Sequence, residues 1–268
     1  MAIVPPSENN YTLGRGVLFF APFLPGTQTP SGERDFGDVN SIDITFKTTD
    51  LDHYSSRAGV KELDQSITLQ VDRTGSFTTE NINSDNLALF FLGSASKITQ
   101  SADTVTAEVT ADVEPGLYYQ LGATAENPVG NRGLDPATPI VVTGSISSPP
   151  TYVVEEDYTI DYDLGRLYIV PGGAITGGLS IKSTYDLLAG SRDAVISSNV
   201  PIEGQLRFIA FNPTGTDDDA LMPWVRITPN SNLSLIGDKF TALQFDLKVL
   251  KKTSQNQEAL YIDGRVAA

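Results

Sequence analysis

Alternation of apolar and polar residues limits most strongly what this chain can become. In Leu243-Gln244-Phe245-Asp246-Leu247-Lys248-Val249 every second side chain is apolar, the period of a strand with one buried and one wet face. Ile42-Asp43-Ile44-Thr45-Phe46-Lys47 and Ile67-Thr68-Leu69-Gln70-Val71-Asp72 repeat the pattern. Further β runs are expected at 16–20, 205–211 and 224–228, each closed by Pro, Gly or Asn. With 23 Gly and 16 Pro among 268 residues, turns separate short strands throughout, which makes the chain all-β. One helix is expected: Ser84 offers an N-cap oxygen, Asp85 suits the positive end of the dipole, and Asn86–Leu92 runs to Gly93 as C-cap. Leu87, Phe90 and Phe91 are expected on the face that packs against a sheet.

From Thr99 to Ala194 the β runs become shorter and richer in small residues and turns. Candidate strands are 105–110, 140–143, 158–162, 167–170 and 179–185, with Asp163-Leu164-Gly165-Arg166 as a hairpin turn. After Ser191 longer apolar strands return. The expected organisation is therefore a discontinuous domain of residues 1–98 and 195–268, with 99–194 inserted as a second β-rich domain. The length allows each to bury its own core.

Several functions are excluded by composition. There is no cysteine, hence no disulfide framework, cysteine nucleophile or thiolate-bound metal. The start MAIVPPSENN lacks a basic n-region and a long apolar stretch, and no segment approaches the ~18 apolar residues of a membrane span. The balance of 33 acidic against 18 basic residues, a formal charge of -15, opposes tight nucleic-acid binding, which needs basic patches to neutralise phosphates.

The only histidine, His53, lies in Leu51-Asp52-His53-Tyr54-Ser55-Ser56-Arg57-Ala58-Gly59-Val60, read as a loop between two strands. Asp52, His53 and the two serines invite a triad, yet a triad converges in space, and adjacent residues on an extended chain diverge. A hydrogen-bonded interface histidine is the simpler reading. Asp217-Asp218-Asp219 lacks the alternate spacing of a calcium loop. Glu155, Glu156, Asp157, Asp161 and Asp163 form no recognisable glycosidase pair. The glycines of 172–178 are followed by no Lys-Ser or Lys-Thr pair and no helix start, so they cradle no phosphate. Lys248, Lys251 and Lys252 read as a solubilising strand edge. No catalytic residue, cofactor or metal is expected.

In order, Asn10-Tyr11-Thr12-Leu13-Gly14-Arg15-Gly16 with Leu18-Phe19-Phe20, the Leu51–Ser56 segment with Gly59, Gln70-Val71-Asp72-Arg73-Thr74-Gly75 and Asn86–Gly93 form a set of motifs. Glu203–Ala210 with Asn212-Pro213 and Gly215, and then Leu233–Leu250, continue it. The set resembles the major tail tube proteins of long-tailed, non-contractile bacteriophages, over roughly two thirds of the chain.

The resemblance implies a β-sandwich subunit that forms hexameric rings, stacked into a tube through which DNA is ejected. Partners would be other copies of the chain and the tail proteins at the tube ends, with DNA only in transit and no membrane. The place would be the virion tail, assembled in the host bacterial cytoplasm. Leu51, Asp52, His53, Tyr54, Ser55, Ser56 and Arg57 would form an inter-ring or inter-subunit loop. Four strands, around 42–47, 67–72, 206–211 and 243–249, would line the lumen, presenting Asp43, Thr45, Lys47, Thr68, Gln70, Asp72, Gln244, Asp246 and Lys248. Six copies would carry 6 × -15 = -90 charges, and repulsion would keep a passing duplex off the wall. The 99–194 region would thicken the wall or bind surface material. The competing class is a carbohydrate-binding β module or fibre with an aromatic platform among Tyr118, Tyr119, Tyr152 and Tyr168; a carboxylate hydrolase ranks last.

Overall fold

The computed structural model describes residues 11–57, 59–252 and 257–265; the MAIVPPSENN start, Asn10 of the first motif and Ala58 lie outside these. The chain is all-β apart from one short helix and falls into two compact units, Met1–Ser96 with Ala194–Ala268, and Lys97–Asp193.

The strands in chain order are β1 (Gly16–Pro22), β2 (Arg34–Asp35), β3 (Val39–Ser55), β4 (Glu62–Thr79), then helix α1 (Ser84–Phe90), β5 (Ser94–Gln100), β6 (Asp103–Val113), β7 (Tyr118–Gln120) and β8 (Val141–Gly144). They continue with β9 (Tyr158–Asp161), β10 (Arg166–Ile169), β11 (Leu179–Leu187), β12 (Gly190–Ile196), β13 (Ile202–Ala210), β14 (Asp218–Pro229), β15 (Leu243–Val249) and β16 (Tyr261–Gly264).

In the first unit one antiparallel sheet runs β2-β1-β13-β14-β15-β4-β3, with β16 on β14. Alternation does what the sequence promised at β15, where Leu243, Phe245, Leu247 and Val249 are buried and Gln244, Asp246 and Lys248 are not. The sheet curls strongly. Phe20 on β1 and Phe77 on β4 are four strand spacings apart, ~19 Å in a flat sheet. Yet the Phe36 ring lies 5.9 Å from the first and 4.7 Å from the second. Phe245 stacks on Phe77 at 4.9 Å, and Phe90 of α1 meets Phe245 edge-on at 6.0 Å, the tilted and offset contacts that aromatic quadrupoles favour.

Helix α1 differs in detail from expectation. Its N-cap is Asn83, not Ser84: the Asn83 side-chain oxygen accepts the Asn86 N–H at 2.7 Å. The left-handed position after the helix is taken by Leu92 (φ 51°), and Gly93 serves a close approach instead, since a Cβ there would lie 1.8 Å from the Ile196 carbonyl. Asn86, Ala88 and Phe90 are buried, and Phe91 is exposed. The Asn86 amide donates to the Phe36 and Asn81 carbonyls and accepts from Arg34, so polar bonds fasten the helix start to the β2–β3 segment.

The second unit has two three-stranded sheets, β7-β10-β9 and β6-β11-β8, around a separate core that includes Val113, Leu121, Leu167, Ile169, Ile181 and Tyr185. Positive φ at Ala107 (53°) interrupts β6 beside Glu108. The Glu108 carboxylate accepts from the Tyr185 hydroxyl at 2.5 Å and from the Gly122 N–H at 2.7 Å, and Asn131 donates to the same hydroxyl at 3.1 Å. Burial, with the bond to Glu108, raises the Tyr185 pKa. β5 pairs with β12 where the chain leaves the first unit and returns.

Candidate assembly surface

The strands β3 and β4 are far longer than their neighbours, 17 and 18 residues. β15 pairs with β4 only from Thr74 to Thr79, so beyond Arg73 the two strands continue as a ribbon with no third partner. Ten residues of β3, Phe46 to Ser55, make it about 33 Å long. Every described residue from 48 to 71 is exposed except half-buried Ser55. Two-stranded ribbons are marginal alone, and this one carries Phe46, Leu51, Tyr54, Leu63, Ile67, Leu69 and Val71 with 44–64% of their surface open.

This arm corrects the reading of 51–57 as a loop. Leu51, Asp52, His53, Tyr54 and Ser55 are strand residues, paired with Ile67, Ser66, Gln65, Leu63 and Glu62; Ser56 and Arg57 follow at the tip. Residues directly opposite share a face, so Phe46, Val71, Tyr54 and Leu63 lie on one side of the ribbon and Leu51 and Ile67 on the other. Asp52 and His53 point to opposite faces, which removes the geometry of a triad. The Asp52 carboxylate instead accepts from the Ser66 hydroxyl at 2.6 Å, and His53 Nδ1 lies 2.5 Å from Asp64 Oδ1.

The outer face of the sheet gathers most of the polar residues singled out by alternation. Across the strands run the rows Asp43, Ser76, Asp246 and Thr228, then Thr45, Thr74, Lys248, Arg226 and Glu203, with Lys47 opposite Asp72, Gln70 opposite Thr49 and Gln244 opposite Thr78. Thr68 does not belong with them. A register shift between Thr49 and Asp50 leaves Leu69 unpaired and sets Thr68 opposite Asp50, on the other face from Gln70, as a one-residue slip must. The four-strand inner sheet also needs correction. β14 stands between β13 and β15, and it supplies Arg226 to this face. Asp43, Asp72, Asp246 and Glu203 are thus interleaved with Lys47, Arg226 and Lys248, so the acidic excess of the chain is not concentrated there.

Most of the remaining charged motifs bond within the chain. Arg265 ion-pairs with Asp217 at 3.4 Å and Asp219 at 3.0 Å; the Asp217 carboxylate also accepts the Asn212 N–H, and that of Asp219 the Ala210 N–H. The bond from Arg265 holds the Asp219 pKa below the usual carboxylate range. Asp157 is buried and accepts from the Val153 and Ala174 N–H groups, while Asp161 accepts from Leu164. Lys252 is no solubilising edge: it is buried, donates to the Gln28 carbonyl at 2.8 Å, and burial lowers its pKa. No group of three or more metal-ligating side chains occurs among the described residues. A cleft of about 810 Å³ in the first unit is lined by Leu18, Ile42, Ile44, Phe208 and Met222 and, on its polar side, by Arg15, Asp38, Asn40 and Ser41.

Sequence reasoning missed the arm because the stretch Leu51-Asp52-His53-Tyr54-Ser55 does not alternate. The available signal was length: the β runs at 42–47 and 67–72 needed only to be extended toward each other.

These features define an all-β protein of two compact units whose first unit carries a long two-stranded β-arm with exposed apolar side chains on both faces. The chain belongs to the family described as protein of unknown function UCP028589, which matches residues 11–261. No curated protein matches it. No helix among the described residues is long and apolar enough to cross a membrane.

Proposed function

We propose that this chain is a structural subunit that assembles with copies of itself into hexameric rings, stacked as the tail tube of a long-tailed bacteriophage. The observation that carries the reading is the arm. At roughly 150–200 Å² for a fully exposed large side chain, the seven exposed apolar residues present about 550–750 Å² in all, divided between the two faces of a ribbon that has no core of its own. Apolar residues on both faces of the ribbon call for cover on both faces, which neighbouring copies in a ring and in the next ring would supply. The order of motifs from Tyr11 to Leu250 supplies the tube, the hexamer and the passage of DNA. The partners are then the chain itself and the proteins at the tube ends, and the place is the virion tail.

Electron microscopy of the purified protein tests this directly. Rings or tubes are expected for the natural chain. Leu51→Asp with Tyr54→Asp places a charge on each face of the arm, opposing association, and is expected to leave a folded protein without tubes. Absence of any assembly by the natural chain at all concentrations and salts sinks the proposal.

A second reading rests on the exposed face of β7-β10-β9. Tyr118, 59% exposed, lies 4.6 Å from Tyr168, with the Arg166 guanidinium 4.7 Å from the Tyr118 ring; Tyr152 is buried, and the Tyr119 hydroxyl accepts the Glu114 N–H. A tilted pair of tyrosine rings beside a cation suits a carbohydrate, and a glycan array without binding rejects it.

A further inference from the structure

The loop of residues 230–242, between β14 and β15, carries the most exposed apolar side chains of the described chain: Leu235 at 86%, Ile236 at 95% and Phe240 at 94%. The loop is held in shape. The Ser234 hydroxyl donates to the Ile236 carbonyl at 3.0 Å, the Thr241 hydroxyl to the Ser234 carbonyl at 3.2 Å, and the Gln244 N–H to the Ser231 hydroxyl at 3.3 Å. Leu233 packs partly against the core of the first unit while the three large side chains point away from it.

The register fixes where the loop sits. β14 ends at Pro229 opposite Phe245, and β15 begins at Leu243 opposite Thr79; the arm leaves beyond Thr74, opposite Lys248. The loop and the arm therefore project from opposite ends of β15. We propose that Leu235, Ile236 and Phe240 receive the far half of the arm, around Tyr54 and Leu63, of a second copy of this chain, so that copies join head to tail.

Area supports this occupant. At roughly 150–200 Å² per fully exposed large side chain, the loop offers about 400–550 Å², too little for a stable interface alone. Joined to Tyr54 and Leu63, about 155–210 Å² at their exposures, it comes to about 550–750 Å² of apolar surface, and at the ~57% apolar share usual for an interface this is about 1,000–1,300 Å² in all, near the lower bound of a specific protein–protein interface. Two different patches at opposite ends make a heterologous contact, which propagates into a filament or tube where a self-complementary patch would stop at a dimer. The inference rests on the self-association proposed above.

The absence of cysteine in the sequence makes the test clean. Tyr54→Cys and Ile236→Cys, both exposed positions, are made as separate variants with tags of different size, mixed under assembling conditions and treated with a flexible bis-maleimide. The expected result is a cross-linked product containing one of each variant, with neither variant cross-linking to itself alone. Tubes that form without the mixed product, or a product of Ile236→Cys with itself, overturn the head-to-tail contact and leave self-association standing. A Phe240→Asp variant with an unchanged circular dichroism melt is expected to lose assembly; unchanged assembly by that variant also overturns the contact. If the natural chain does not assemble at all, both proposals fall.

Discussion

Excising the arm separates folding from association. Residues 48–71 are replaced by Asn-Gly, which joins Lys47 to Asp72, a registered pair, through the type I′ turn that suits a two-residue hairpin. The removed ribbon has no third strand, and its described residues are exposed apart from half-buried Ser55. Its loss takes nothing from the Phe20, Phe36, Phe77, Phe245 core, so the change in stability is expected within about 1 kcal/mol, a shift of roughly 4 °C or less in Tm. Association is affected on another scale. The six large apolar residues named above that leave with the ribbon offer about 480–640 Å² of apolar surface, which at about 25 cal/mol per Å² corresponds to ~12–16 kcal/mol gross, against ~4–15 kcal/mol for lost rigid-body freedom. Without the arm little favourable remains. Circular dichroism melting and sedimentation velocity on the excised and intact chains read the two effects. A melt lowered by more than about 10 °C shows that the arm supports its own unit, and assemblies as large as those of the intact chain refute its role in association.

Two further predictions concern charge and burial. In the second unit Tyr185 and Tyr158 both have raised pKa values, each through burial first. The unfolded chain releases these protons near pH 10 while the native one retains them, so stability is complete below that pH and falls as pH rises above it. Tyr185→Phe is expected to make the alkaline fall shallower and to lower stability at neutral pH, because Glu108 loses a donor; an identical alkaline slope in urea titrations would contradict the assignment. In the first unit, Asp219 has a lowered pKa through Arg265, so its contribution is present above the ordinary carboxylate range and lost as pH falls through the folded value. Asp219→Asn is expected to speed hydrogen exchange of the Tyr261–Gly264 amides at neutral pH and to remove their acid sensitivity; unchanged exchange would show that β16 is held by its pairing to β14 alone.

What was legible in the sequence was whatever one strand decides by itself. The half-buried face of Leu243–Val249, the turn at Gly165 and the helix near Leu87–Phe90 follow from local period and residue type. What was hidden depends on a partner. Leu69 alternates perfectly with Ile67 and Val71, yet the β3 strand skips it, and the slip moves Thr68 to the opposite face. Asn83 outcompetes Ser84 as cap because its side chain reaches the Asn86 N–H, and Asn86 is itself held by Phe36 and Arg34 from far along the chain. Lys252 seemed a surface lysine until the Gln28 carbonyl came to meet it. β14 is legible only as Trp224–Thr228, because Asp217-Asp218-Asp219 reads as a turn; Asp218 and Asp219 instead open the strand, and Arg265 pairs with Asp219 and with Asp217 just before it.

The charge of the chain acquires a different meaning once its location is known. A formal -15 suggested a wall that repels a duplex, but on the outer sheet face the row that holds Asp43 and Asp246 lies next to the row of Lys248, Arg226 and Glu203, and Lys47 stands opposite Asp72. Strands are ~4.8 Å apart, well inside the ~8 Å screening length of physiological salt, so opposite charges largely cancel at the distance of a passing phosphate. If this face lines the channel, a duplex would meet neither a basic patch to hold it nor a strong barrier to its entry. Low friction would then come from the local mixing of signs, and the acidic excess carried elsewhere would serve the solubility of unassembled subunits whose arm and end loop are still bare.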